Sequence, residues 1–304
     1  MPYDKAVIIT RPTDLEGLVK RYGTLSQAGF VLASRGQTIE EYKAADQVYK
    51  ESVKKVVAAI PKELKKEIVQ KDHLPSYHFA NDDLVVAVGD DGMLVNVAKY
   101  LAKQPLISVN ADPNRFDGVL ASTDTRGMGK IIGGVIAGVA QFDLLTMAVA
   151  ELEDGQTMYA LNDLFIGKKT HVSARYTIEF RGKIEQQSSS GIIVSTGTGS
   201  TGWYTSVMGT AYALAQSAGN QYDFPEDADY LKFIVREAFP SKKTGTSLVK
   251  GDVNKNNPLK ISSQMSEDGV IFSDGIESDN LTFNAGSTVT IKPAEKKVYI
   301  VKGE

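Results

Sequence analysis

Five consecutive apolar residues, Leu84-Val85-Val86-Ala87-Val88, stand between Asn81-Asp82-Asp83 and the cluster Gly89-Asp90-Asp91-Gly92. An uninterrupted apolar run bounded by turn residues is the pattern of a strand buried on both faces, which is how a strand sits in a parallel sheet. Leu94, Val97, Ala98 and Leu101 follow at helical spacing, so the unit reads as strand, polar turn, helix. In open parallel sheets ligands bind beyond the carboxyl ends of the strands, where helix N-termini point into free space. Gly89 and Gly92 let phosphate oxygens reach backbone N–H groups with no Cβ in the way. Asp90 and Asp91 add two carboxylates at one spot, suited to deprotonating a hydroxyl or holding Mg²⁺. An ordinary strand-to-helix turn in which an Asp caps the helix accounts for the same residues.

The flanking chain continues the alternation. Ala6 to Thr10 reads as a first buried strand, followed by Arg11-Pro12, an N-cap at Thr13 or Asp14, and Leu15, Leu18, Val19, Tyr22 and Leu25 at helical spacing. A second helix is expected from about Ile39 to Ile60, with Tyr42, Val48, Val53, Val56 and Val57 on its apolar side, and a further buried strand from Pro105 to Asn110. Lys54-Lys55 and Lys65-Lys66 read as solvated helix faces. His73 and His78 fall in a loop with no further ligand nearby, and no residue is assigned as a metal ligand.

Beyond about Ala121 helical runs become scarce, apart from Met128 to Gln141, and strands dominate. They are expected at Leu144 to Leu152, Thr157 to Ile166, Ser173 to Phe180, Gly191 to Ser195, Leu231 to Val235, Leu259 to Ser262 and Val270 to Phe272, with a closing pair at Thr288 to Lys292 and Lys297 to Val301. Glu153-Asp154-Gly155 and Arg181-Gly182-Lys183 punctuate them as hairpin turns. The fold class is therefore an α/β N-terminal domain with a parallel sheet, residues 1–124, plus a mostly antiparallel β-rich C-terminal domain, residues 125–304. One helix, from about Gly202 to Gly219, interrupts the second half. Thr196-Gly197-Thr198-Gly199-Ser200-Thr201 precedes it, with glycines for close approach, hydroxyls to hydrogen-bond, and Thr201 placed to cap the helix. Trp203 and Tyr204 beside such a loop suit stacking on a base, and a core Trp fits equally. Asn162-Asp163 sits inside an apolar strand, where adjacent side chains point to opposite faces, so one of the two needs a polar partner.

Composition narrows the functions. The 304 residues, 42% hydrophobic and 23% charged, suffice for two cores. A net charge of −3 argues against a nucleic-acid partner, which needs clustered Lys and Arg. The chain has no cysteine, so disulfides and thiolate metal sites are excluded. Ala6 to Ile9 is too short for a signal peptide and Ile131 to Ala140 too short to span a bilayer. The expectation is a cytoplasmic protein with no membrane partner.

Taken in order, the Gly-Asp turn after a parallel strand, Asn162-Asp163, and Thr198-Gly199-Ser200-Thr201 make the chain resemble the NAD kinase family. The family pattern is Gly-Gly-Asp-Gly-Thr, then Asn-Glu or Asn-Asp, then Thr-Gly-Ser-Thr-Ala-Tyr. The resemblance covers nearly the whole chain and is nearest the mitochondrial-type branch, through Asn110-Ala111-Asp112-Pro113 to Gly118, Ala160 to Gly167, Ser189-Ser190-Gly191 and Thr196 to Ser200. It implies an NAD kinase-like two-domain fold and transfer of the terminal phosphoryl group of ATP, with Mg²⁺, to the 2′-hydroxyl of the adenosine ribose of NAD. It further implies that Asp91 activates or orients that hydroxyl. Gly92, Asn162, Asp163, Thr201, Gly202, Trp203 and Ser206 would contact the dinucleotide, and Gly89, Asp90, Gly92 and Arg11 the ATP. A homo-oligomer, dimer or tetramer, is implied as well.

Three departures stand out: Asp90 replaces a glycine, Met93 replaces Thr, and Gly202-Trp203 replace Ala-Tyr. An extra carboxylate beside a triphosphate repels it unless a cation lies between, so Asp90 either points away, ligates metal or marks altered donor use. Because the Gly-Asp turn is shared with diacylglycerol and sphingosine kinases, a lipid or sugar alcohol is the alternative acceptor. A dinucleotide-binding protein without catalysis is the other alternative.

Overall fold

The computed structural model describes residues 2–118, 120–121, 123–216 and 222–303. The chain divides into two compact units, Met1–Asp143 with Tyr299–Glu304, and Leu144–Val298. Against the expected division at 124/125, the helix that follows residue 124 goes with the first unit, because Met128, Ile131, Ile132 and Val135 are buried in that unit's core.

The first unit is built from β1 (Lys5–Thr10), α1 (Asp14–Tyr22), α2 (Leu25–Ala33), α3 (Ile39–Ala59), β2 (Lys65–Gln70), β3 (Asp83–Gly89), α4 (Asp91–Ala98), β4 (Pro105–Asn110) and α5 (Met128–Ile136). The strands run in the order β2-β1-β3-β4, all parallel, with Lys5 opposite Asp83 and Val85 opposite Leu106. All seven residues of β3 are buried, as its apolar run requires. α1 starts where expected: the Thr13 side chain accepts from the Glu16 amide and the Glu16 side chain accepts from the Thr13 amide, a capping box. Gly23, at φ +86, ends it before Leu25, and Thr24 caps α2. α3 turns Tyr49, Ser52 and Val56 inward, whereas Val48, expected on the apolar side, is exposed.

Lys65-Lys66 correct the sequence reading. They open β2, where only Val69 is buried; a charged strand at a sheet edge discourages further pairing, and its polar composition hides it from an apolar-run criterion. Ala6, Ile8, Val56, Leu84, Val86, Val88, Ile107 and Val109 form the core around these elements, each large aliphatic side chain contributing about 1.5–3 kcal/mol by burial.

The second unit continues with β5 (Phe142–Leu152), β6 (Thr157–Ala160), β7 (Asp163–Lys168), β8 (Ala174–Phe180), β9 (Lys183–Ser189), β10 (Ile192–Ser195), α6 (Trp203–Leu214), β11 (Leu231–Val235), β12 (Lys250–Val253), β13 (Leu259–Ser263), β14 (Gly269–Ser273), β15 (Asn280–Thr282) and β16 (Thr288–Val301). One antiparallel sheet has the order β12-β11-β10-β7-β14-β15. A second antiparallel set runs β16-β13-β8-β9, with β5 pairing both β16 and β6. Side chains of both sets, among them Ile166, Tyr176, Ile178, Val194, Phe233, Ile261, Ile271 and Ile291, share one core. The β8–β9 hairpin turns at Arg181 and Gly182, both at positive φ, the two-residue turn that matches strand twist.

Two strand expectations change. Thr157 to Ile166 is two strands, since the Leu161 and Asn162 amides leave the ladder for the carboxylate of Asp274. The closing pair is one strand, β16: it pairs with β13 through Ile291 and then, at Tyr299 and Ile300 in the first unit, runs parallel to Pro105 and Leu106. Pro293, which has no N–H to donate, lies between those two stretches. α6 ends at Leu214, and the expected end near Gly219 lies outside the described residues.

Candidate functional site

In the first unit the Gly-Asp turn sits at the carboxyl end of β3 and opens α4. Asp90 is the N-cap of α4, its Oδ1 accepting from the Met93 amide at 3.1 Å. Of the three uses open to it, the side chain points into the helix start. Asp91, the first residue of α4, accepts with Oδ1 from the amides of Leu120, 3.0 Å, and Ala121, 2.7 Å. Its carboxylate therefore braces the chain after β4, and both partners are backbone groups that no motif reveals. Gly92 is exposed, and a Cβ there would stand 3.3 Å from Asp90 Oδ1. Gly89 is needed for packing, since a Cβ would come within 2.8 Å of Met93 Cβ.

Arg11, just past the end of β1, comes to the same carboxyl end of the parallel strands. Its amide donates to the Tyr49 hydroxyl at 2.8 Å, and that hydroxyl donates to the carbonyl of Val88 at 3.1 Å. The Arg11 guanidinium lies 5.4 Å from the Tyr49 ring centroid, and its Nε is buried with no acceptor in the protein. Arg11 and Gly89 line one cavity of about 30 Å³ together with Thr13, Tyr49, Asp112 and Arg115. Asp14, Asp46 and Asp112 line the same cavity beside the two guanidinium groups, so its walls carry no net positive charge, and Arg11 stands 4.0 Å from the Asp14 carboxylate.

In the second unit Asn162-Asp163 and the Thr-Gly-Thr-Gly turn meet. The Thr196 amide donates to the Asn162 carbonyl at 2.9 Å, and Thr196 Oγ1 donates to the carbonyls of Leu161 and Asn162 while accepting from the Gly199 amide at 3.1 Å. The glycines are steric requirements: a Cβ on Gly199 would stand 2.1 Å from the Asn162 carbonyl oxygen, and one on Gly197 1.9 Å from that of Pro225. Asp163 is buried, and burial pushes its carboxyl up to about 6. Asp274, partly buried, accepts from the amides of Leu161, Asn162 and Asp163, and desolvation pushes it up to about 7 against those hydrogen bonds. Thr198 Oγ1 is buried without a partner.

Thr201 corrects one expectation: it lies on a 3-10 turn, Thr198–Thr201, and the residue that precedes α6 is Gly202, with no side-chain cap. Thr201, Gly202 and Ser206 are exposed, and Gly202 and Ser206 share a face of the helix start, the Ser206 amide donating to the Gly202 carbonyl. The Trp203 ring stacks on Phe165 at 5.7 Å, Phe165 stacks on Phe272 at 4.8 Å, and the Arg236 guanidinium lies 5.3 Å from the Trp203 ring. This group floors a cavity of about 450 Å³ whose walls include Lys168, Lys169 and Arg236. Sequence reasoning missed Tyr49, Arg236 and Asp274, and it named Thr196 and Phe165 within their runs without a role of their own. Only Asp274-Gly275 carried a signal, as a turn dipeptide after a strand.

Comparison with known proteins bears on both units. No family model matches the chain. It is 30% identical over 233 residues to the NAD kinase of Azotobacter vinelandii, spanning 72% of this chain and 70% of that one. It is 26% identical over 217 residues to the probable NADH kinase of Oryza sativa, spanning 64% of this chain and 63% of that protein, just under two thirds of its length. Among solved structures, yeast NADH kinase complexed with NADH matches 99% of this chain and 84% of its own with a TM-score of 0.59 at 15% identity. An Archaeoglobus fulgidus NAD kinase in complex with ATP matches 99% and 94%, also with a TM-score of 0.59, at 16% identity. The two structures share the fold.

Proposed function

The chain belongs to the NAD kinase family, and from that premise we propose that it transfers the terminal phosphoryl group of ATP to the 2′-hydroxyl of the adenosine ribose of NAD, giving NADP and ADP. The observation that carries the reading is the turn after β3: a helix start with two carboxylates and bare glycine backbone, one carboxylate turned inward as the cap and the other oriented by two amides. In the reaction the ribose oxygen bonds to the γ-phosphorus, the bond to the β,γ-bridging oxygen breaks, and the hydroxyl proton leaves to the Asp91 carboxylate. Loosely bonded phosphoryl transfer asks the protein mainly for positioning and charge neutralisation. Gly89, Gly92 and Arg11 are the groups we assign to the ATP phosphates. Asn162, Asp163, Thr201, Gly202, Trp203 and Ser206 are those we assign to the dinucleotide.

Among the described residues no three His, Asp or Glu side chains are grouped to hold a metal ion. A Mg²⁺ that arrives on the triphosphate would be held mainly by the phosphates and water, with no resident protein cage, and Asp90 is turned into the helix start as its cap. When bound, such an ion neutralises charge on the β- and γ-phosphates. Among the described residues no helix is long and apolar enough to cross a membrane. We place the enzyme in the cytoplasm, where both nucleotides are abundant, and take it to assemble as a homo-oligomer, which sedimentation velocity would resolve.

The test is direct. Purified protein is incubated with NAD, ATP and Mg²⁺, and any NADP is read with an NADP-specific dehydrogenase. NADP accumulation is expected; none with Mg²⁺ or Mn²⁺, and with ATP or polyphosphate as donor, would refute the assignment.

A further inference from the structure

Asp274 lies outside every motif that pointed to the site, yet its geometry is directed at one of them. Its carboxylate receives the Asn162 amide at 2.8 Å and the Asp163 amide at 3.2 Å on Oδ1, and the Leu161 amide at 3.2 Å on Oδ2. These are three consecutive N–H groups at the point where β6 ends and β7 begins. The carbonyl side of the same peptides is held by Thr196, whose Oγ1 donates to Leu161 and Asn162 and whose amide donates to Asn162. The turn is thus gripped on both polar edges, and Thr196 joins it to Gly199.

Local preference accounts for the turn that carries Asp274 but not for a carboxylate spent on three amides. Asp274 and Gly275 have φ of +54 and +72, and the Ile276 amide closes the turn on the Ser273 carbonyl at 3.0 Å. Asp-Gly is the pair that such a two-residue turn prefers, so the backbone here follows the sequence. The carboxylate itself is costly, because its partial burial disfavours the charged form that best accepts three N–H groups. Asp163 lies alongside and adds like charge. Stability alone would favour a neutral side chain here.

We infer that Asp274 is a positioning residue for dinucleotide binding: it holds the Leu161–Asp163 turn in the one conformation in which Asn162 and Asp163 can meet their ligand. The inference rests on the NAD kinase reading for the identity of that ligand. Among the described residues the hydrogen bonds given for the Asp274 side chain go to this turn, so it acts through Asn162 and Asp163.

The experiment compares full-length wild type with Asp274→Asn. Asn accepts left-handed backbone as readily as Asp and keeps one oxygen for the Asn162 and Asp163 amides, but it brings an NH₂ against the Leu161 amide or, flipped, against the other two. Expected are a KM for NAD raised about tenfold, a KM for ATP within about twofold of wild type, and a melting temperature no lower. Amide hydrogen exchange at residues 161–163 should accelerate in the variant. An unchanged KM for NAD, or equal rises in both KM values, would overturn the inference. Should Asp274→Asn fail to fold, Thr196→Val, which removes the opposite grip, takes its place: it should raise the KM for NAD while Thr196→Ser restores it, and a Thr196→Val enzyme with wild-type KM for NAD would likewise overturn it. Wild-type protein that neither forms NADP nor binds NAD in calorimetry removes the kinase reading and this role with it. An active wild type beside a variant of unaltered KM removes the role alone.

Discussion

Asp90 and Asp91 are neighbours of one residue type with different work, and their hydrogen bonds separate them. Asp91→Asn keeps an oxygen for the Leu120 and Ala121 amides, so it should leave the urea midpoint near wild type while lowering kcat about 100-fold or more through loss of the proton acceptor. Asp91→Ala should add about 1–3 kcal/mol of destabilisation, since two amides lose their acceptor. A fully active Asp91→Asn would assign the base elsewhere. Asp90 caps a helix, so Asp90→Ala should cost about 1 kcal/mol in denaturant titration and Asp90→Gly only a few tenths. Asp163 makes a pH prediction. Burial raises its carboxyl from 3.8 to about 6, so the folded state holds the proton more tightly than the unfolded chain. The stability this contributes is full below the unfolded value, declines as pH rises toward about 6, and is gone above it. The displacement corresponds to about 3 kcal/mol. Unfolding midpoints measured from pH 3.5 to 7 should show a fall to which Asp274, raised to about 7, also contributes, and Asp163→Asn should make it shallower without abolishing it.

At the scale of elements, what sequence revealed depended on whether an element is specified locally. β3 and the start of α1 were legible because an apolar run and a capping box act within a few residues. β2 was not: an edge strand with one buried residue has no apolar signature, and only its partner β1 makes it a strand. The break between β6 and β7 was hidden too, because the group that turns the Leu161 and Asn162 amides away lies on the turn after β14. The Thr-Gly-Thr-Gly turn shows the intermediate case. Its glycines were legible as places of close approach, but the approaching atoms are backbone rather than ligand: the carbonyl of Asn162 and that of Pro225. Gly199→Ala should therefore displace the Asn162 peptide, cost about 1–3 kcal/mol as an overpacked site, and weaken NAD binding in calorimetry. A Gly199→Ala protein as stable as wild type, with unaltered NAD affinity, would show that the contact yields freely.

At the scale of the whole molecule, the chain does not divide at one point. Residues 299–304 return to the first unit after the second is complete, with Tyr299 and Ile300 beside β4 and Val301 buried in the first core. A chain ending at Val298 should lose amide protection in β4 and melt its first unit earlier, while β7, β10 and β14 keep theirs; equal loss in both units would contradict the division. The sequence by itself determined the two architectures, the order of the motifs and the kinship they imply, because runs of apolar residues, turn glycines and short polar tags are local and survive without coordinates. Tertiary structure decided which carboxylate caps and which braces, where Arg11 lies, and that Asp274 grips the Asn162 turn from 112 residues away. Those are pairings between distant backbone amides and single side chains, and an amide carries no letter in the sequence.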